Sequence, residues 1–292
     1  MQPVLAALVD LLALERLDRD LFRGNSQDLG WGAIFGGQVL GQALSAAAQT
    51  VTGDRPVHSF HGYFMRAGDV RRPIVYQIDR LRDGASFTTR RVSAIQEGEA
   101  IFSLEASFQV AEDGFDHQDA MPDVPPPDDL RSELDMALAI ADKLPPPLRA
   151  IALADRPIEI RHVDVRDPLR PRPTPPRRHM WYRAVDQLPD DPALHRYLLA
   201  YASDFSFLGT AMDPHGTSWL QPGMQVASLD HAMWFHRSFR MDEWLLYVVD
   251  SPSASGGRGL VRGQFFDRAG RLVASAAQEG LIRRRSDSFK KP

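Results

Sequence analysis

The chain has no cysteine among its 292 residues, which excludes disulfides, thiolate metal sites, iron–sulfur clusters and a cysteine nucleophile together. It has no surplus of positive charge either. Lys and Arg number 34 against 38 Asp and Glu, a formal −4, so nothing marks a nucleic-acid partner. No apolar run reaches the ~18 residues that a membrane span needs. Residues 1–14 lack a basic flank, and Asp10 interrupts their apolar run, so they do not read as a signal peptide and a cytoplasmic address is expected. The Gly-x-Ser-x-Gly turn of serine esterases is missing: the three Gly-x-Ser triplets, at Gly24, Gly84 and Gly216, run on to Asp28, Thr88 and Leu220. His58, His61, His215, His231 and His236 show no metal-ligand spacing with neighbouring Asp or Glu, so neither a metal nor another cofactor is expected.

What is present is the composition of an ordinary globular protein, 43% hydrophobic and 25% charged, at about two domain lengths. Val4, Leu5, Leu8, Leu11 and Leu12 fall at helical spacing and predict an amphipathic first helix. Proline is crowded into the middle, with 14 of the 22 between Pro122 and Pro189. Proline lacks the donor a central strand needs, so this stretch reads as a connector with at most one short helix, Leu130 to Lys143. The expected organisation is an N-terminal domain over 1–115, a connector over 116–156 and a C-terminal domain over 157–292, with a loop from Pro168 to Arg178 inside the last.

The same order of elements occurs on both sides of the connector. A small-residue helix from Gln38 to Thr50 precedes strands at Val57 to Met65, Ile74 to Arg82, Ser86 to Gln96 and Ala100 to Val110. A helix from Leu194 to about Leu208 precedes strands at Met224 to His236, Trp244 to Asp250, Gly259 to Phe266 and Leu272 to Gly280. Period-two alternation and short turns such as Glu97-Gly98 predict antiparallel pairing. One helix against one such sheet is an α+β unit, and a helix rich in Gly and Ala can lie close to a sheet curved around it. That is the hot-dog arrangement, expected here twice.

Three polar residues on these elements can carry chemistry. Asp204 lies in the run Tyr201-Ala202-Ser203-Asp204-Phe205, with Ala200, Tyr201, Phe207 and Leu208 at helical spacing around it. A carboxylate among apolar neighbours costs free energy unless it is hydrogen-bonded, and such a placement suits a tuned base; an ordinary helix-end Asp is the plainer reading. Ser228 is a strand hydroxyl without a nucleophile elbow. Gln278 offers an amide on a strand face shared with Leu272, Ala274 and Ala276. Spacing alone does not unite these three into a site. Gly36-Gly37 either exposes backbone N–H groups to an anion or permits close packing, and the Gly256-Gly257-Arg258-Gly259 run reads as a turn. Arg71, Arg72 and Arg283 to Arg285 are basic enough to meet phosphates, or are solvated faces.

Larger blocks are more specific. Phe35-Gly36-Gly37-Gln38-Val39-Leu40-Gly41-Gln42-Ala43 and Val57-His58-Ser59-Phe60-His61-Gly62-Tyr63-Phe64 resemble the acyl-CoA thioesterase II family. Tyr201-Ala202-Ser203-Asp204, Asp230-His231-Ala232-Met233-Trp234-Phe235-His236, Ser251-Pro252-Ser253-Ala254 and Ala274-Ser275-Ala276-Ala277-Gln278-Glu279-Gly280 resemble its C-terminal signature. The resemblance implies a double hot-dog fold and hydrolysis of fatty acyl-CoA to free acid and CoA. It also implies a water-activating trio of Asp, Thr or Ser, and Gln, which falls on Asp204, Ser228 and Gln278, with Ser228 at a position where the family often has Thr. The first half is different, since the segment from Phe35 to Thr52 has no Asp or Glu, so one site per chain is expected. Two alternatives stay open: a non-catalytic acyl-CoA-binding protein, and an enoyl-CoA hydratase, whose helix pairs an Asp with a His five residues on where this chain has Gly209. The unpaired edges of such sheets predict cover by a homodimer or homotetramer.

Overall fold

The computed structural model describes residues 1–284. Five α-helices occur among these residues: α1 (Pro3–Leu12), α2 (Gly36–Ala48), α3 (Glu133–Ile140), α4 (Pro146–Ala152) and α5 (Pro192–Ser203). The strands of the first half are β1 (Glu15–Asp18), β2 (Leu21–Gly24), β3 (Val57–Phe64), β4 (Ile74–Asp83), β5 (Phe87–Gln96) and β6 (Glu99–Gln109). Those of the second are β7 (Ile158–His162), β8 (Arg177–Ala184), β9 (Met224–Ser228), β10 (Asp230–Phe235), β11 (Leu245–Ser255), β12 (Arg258–Asp267) and β13 (Leu272–Arg284).

The two repeated halves join edge to edge into one antiparallel sheet, ordered β1-β2-β4-β5-β6-β3-β10-β13-β12-β11-β8-β7, with β9 also on β13. The seam is β3 against β10, where Phe60 lies opposite Met233 and His61 opposite Ala232. The sheet alternates as expected of a half-buried surface: Phe102, Leu104, Ala106 and Phe108 of β6 point inward, as do His231, Met233 and Phe235 of β10.

Helices α2 and α5 lie side by side and antiparallel inside the curve of this sheet, because glycine lets their backbones touch. A Cβ on Gly41 would stand 3.1 Å from the carbonyl oxygen of Tyr197, and one on Gly37 would overlap that of Tyr201. Gly37 through Ala47 are all buried, and a single apolar core runs through both halves, from Leu40 and Phe102 to Tyr201 and Phe265.

Four local expectations are corrected. The connector holds two short helices, α3 and α4, rather than one; α3 begins at a capping box in which Ser132 and Asp135 satisfy each other's backbone N–H. Strands β1, β2, β7 and β8 went unforeseen, and β8 begins inside the stretch read as a loop to Arg178. Helix α5 stops at Ser203 instead of running to Leu208. The Ser203 carbonyl accepts from the Tyr247 hydroxyl at 3.1 Å, the Phe205 carbonyl, past the helix end, accepts from the Tyr182 hydroxyl at 2.8 Å, and Ser206 turns the chain at a φ of 58°. The strand expected from Met224 to His236 is broken at Leu229. Ser228 pairs with Gly280 and Ala232 with Ala277, so four residues on this side match three on β13: a one-residue bulge.

Candidate active site

Asp204 is the C-cap of α5, not a residue within the helix, so its carboxylate stands at the negative end of its own helix dipole. The antiparallel partner offsets this. The Gly37 N–H, in the first turn of α2, donates to Asp204 Oδ2 at 3.0 Å, and Gly36 approaches so closely that a Cβ there would be 2.7 Å from the same oxygen. Burial pushes the Asp204 carboxyl up to about 6, against the lowering influence of the Gly37 bond and of the Gln278 and Ser228 side chains. Of these three, the Gly37 bond is the fully formed one; Gln278 and Ser228 address the carboxylate more loosely.

The bulge at Leu229 brings the remaining residues together. In a regular strand Ser228 and His231 would point to opposite faces; the extra residue turns both toward Gln278. The amide nitrogen of Gln278 donates to Ser228 Oγ at 2.7 Å, and the bulge is held by Leu229, whose N–H reaches the Glu279 carbonyl and whose own carbonyl accepts from Phe64. Asp204, Ser228 and Gln278 therefore meet in one place, with Phe64 and the stacked pair Phe35 and Phe205 packed around them. A half-buried base, a hydroxyl and an amide so arranged can hold one water and take a proton from it.

Sequence reasoning missed two members of this cluster. His231 and Ser203, fully buried, stand behind Gln278, and no spacing in the chain reveals it. The Gly36-Gly37 pair serves both purposes considered for it, close packing and donation to an anion, the anion being Asp204. His58 lies apart from the cluster, its Nε2 2.8 Å from Ser107 Oγ. Arg71 pairs with Asp69, and Arg72 with Asp69 and Glu97. Arg283 and Arg284 border a cavity of about 260 Å³ with Arg258 and His215; Arg285 lies outside the described residues. Gly256 and Gly257 form the β11–β12 turn at φ of 57° and 75°. Among the described residues no three His, Asp or Glu side chains converge as a metal site would require, and no helix is long and apolar enough to cross a membrane.

Comparison with known proteins places this geometry in a context. A family model described as acyl-CoA thioesterase matches residues 148–281, and one described as the acyl-CoA thioesterase N-terminal domain matches residues 26–109. The chain is 44% identical over 283 residues to acyl-CoA thioesterase 2 of Haemophilus influenzae, covering 97% of this chain and 99% of that protein. The solved structure of an acyl-CoA thioesterase II, TesB2, from Mycobacterium marinum is 46% identical and aligns with a TM-score of 0.79 over 96% of this chain and 99% of that one. A hot dog fold protein of Alicyclobacillus acidocaldarius, 20% identical, aligns with a TM-score of 0.75 over 96% of this chain and 99% of that one and speaks to the fold alone.

Proposed function

This chain belongs to the acyl-CoA thioesterase II family and hydrolyses acyl-CoA thioesters, and we propose that it does so by direct attack of a water held among Asp204, Ser228 and Gln278. The observation that carries the reading is the half-buried carboxylate of Asp204, pushed up to about 6 beside the Ser228–Gln278 pair. A base tuned to that range is ionised at neutral pH yet still takes a proton readily.

In the proposed reaction Asp204 takes a proton from the water as its oxygen bonds to the thioester carbon. Ser228 and Gln278 hold the water in line. The carbonyl oxygen becomes an oxyanion, received by a backbone N–H in the first turn of α2. The Gly37 N–H is already engaged by Asp204 and that of Gln38 by the Phe35 carbonyl, so Gly36 is the proposed donor. The C–S bond then breaks and the thiolate leaves with the proton from Asp204. A thiol of pKa near about 8.5 is a good enough leaving group to need little more help. No covalent acyl-enzyme forms.

Fatty acyl-CoA is the proposed substrate class, and a cytoplasmic homodimer or homotetramer the proposed form. Strand β1, at one end of the sheet, has a neighbour on one side only, which favours assembly, and light scattering tests it. The non-catalytic and hydratase readings are not favoured, since the relatives are named thioesterases and position 209 is glycine.

A single turnover in ¹⁸O-water, with enzyme in excess over acyl-CoA, tests the proposal. Free CoA thiol and an acid carrying one ¹⁸O are expected, with none in the Asp204 peptide. Label in that peptide would mean an anhydride on Asp204 and would overturn direct attack.

A further inference from the structure

We infer that His231 is a positioning residue that holds the Gln278 amide, through the Nδ1–H tautomer of its ring, with the NH₂ edge turned to Asp204 and Ser228. The inference rests on the proposed water-holding role of Gln278.

The geometry leaves the ring little choice. Extending the register of Ala232 opposite Ala277 puts His231 directly across from Gln278, and Nδ1 lies 2.8 Å from Oε1 of that amide. An amide oxygen only accepts, so Nδ1 must carry the hydrogen. The amide itself is oriented by its other edge. Its nitrogen is 2.7 Å from Ser228 Oγ and faces the Asp204 carboxylate; reversed, it would set an oxygen lone pair against a negative charge. With the hydrogen on Nδ1, Nε2 is an acceptor, and Ser203 Oγ stands 3.0 Å away to donate to it. Ser203 has one proton and two acceptors within reach, Nε2 and the Ala200 carbonyl at 2.9 Å, and the tautomer directs it to the ring.

The hydrogen bonds thus run in one direction, from the Ser203 hydroxyl through His231 and Gln278 to Ser228, each donor polarising the next. The ring is fully buried, stacked on Phe60 at 5.9 Å and against Phe207 at 5.6 Å, and burial pushes its pKa down to about 4, so it stays neutral while the enzyme works. Without this hold the amide can rotate, presenting its oxygen to the carboxylate and losing the grip on water.

Two measurements test this. With ¹⁵N-histidine in the full-length enzyme, long-range ¹H–¹⁵N correlation at pH 7 should show a neutral Nδ1–H ring that is lost from the spectrum in His231→Phe. An Nε2–H ring overturns the inference. In kinetics with a saturated acyl-CoA, His231→Phe is expected to lower kcat roughly 10- to 100-fold with KM little changed, and to have almost no further effect in Gln278→Ala. Losses that multiply would show a merely structural role and overturn the inference while leaving Gln278 its part in holding water. Unimpaired turnover by Gln278→Ala would instead remove the water-holding reading, and this inference with it. If His231→Phe does not fold, Ser203→Ala probes the same line: a milder loss that disappears in Gln278→Ala is expected, and a multiplying one overturns the inference.

Discussion

Gly37 and Asp204, 167 residues apart in sequence, are joined by a 3.0 Å hydrogen bond that links the start of one central helix to the end of the other. The carboxylate lies on the second half of the chain and its donor on the first, so the site exists only because α2 and α5 run antiparallel in contact.

That contact separates two neighbouring glycines by experiment. Gly36→Ala puts a Cβ 2.7 Å from Asp204 Oδ2 and 3.1 Å from a Phe64 ring carbon, both side-chain atoms. It should lower kcat at least tenfold while leaving the melting temperature within a few degrees. Gly37→Ala meets the backbone carbonyl of Tyr201, which cannot swing away. It should cost about 3 kcal/mol or more of stability by overpacking, read from urea denaturation. Equal melting temperatures for the two variants would contradict the difference.

Asp204→Asn should lower kcat by about 10²- to 10⁴-fold, the usual worth of a general base. The same change should stabilise the protein. The folded-state pKa of Asp204 lies above the ordinary 3.8, at about 6, so its ionisation opposes folding. That cost is absent below the unfolded value, grows between about 4 and 6, and is full above 6, where it amounts to roughly 3 kcal/mol. Denaturation at pH 7.5 and pH 4 should show the variant ahead of wild type only at the higher pH. Turnover near wild type by a folded variant would remove Asp204 from the chemistry.

The pH profile of kcat/KM follows from the same group. Activity requires the carboxylate, so kcat/KM should rise about tenfold per pH unit up to about 6 and level off above 7. Ser228 and Gln278 lower this pKa, so Ser228→Ala and Gln278→Ala should each move the inflection upward. An inflection that stays put or moves down would separate these side chains from Asp204.

The number of sites per chain is also open to measurement. Helix α5 ends at its cap, Asp204, whereas the stretch from Phe35 to Thr52 that holds α2 has no Asp or Glu to act as a base. Titration with a non-hydrolysable acyl-CoA thioether, by calorimetry, should find one site per chain. Two equal sites would show that the first half also binds productively.

Much of the fold was legible in the residues themselves. Alternation marked β3 to β6 and β10 to β13 within a residue or two at most ends, since inward and outward positions of a half-buried strand differ in polarity whatever lies across from them. The helix–sheet duplication was legible for the same reason. Strands β7 and β8 were hidden by the prolines and arginines around them, and the end of α5 by the lack of a local stop signal such as glycine. The trio of Asp204, Ser228 and Gln278 was named by family resemblance, not by spacing.

The sequence by itself determined the repeated α+β pattern, the absence of cysteine and metal-ligand spacing, and a central helix in the first half, α2, without a carboxylate. Only the tertiary structure decided that α5 would end at Ser203 with Asp204 as its cap and that a bulge at Leu229 would turn Ser228 and His231 the same way. It alone set Gly37 against Asp204 and Ser203 behind His231. Periodicity records how one residue meets solvent or core; a hydrogen bond across 47 or 167 residues depends on packing that no local pattern encodes.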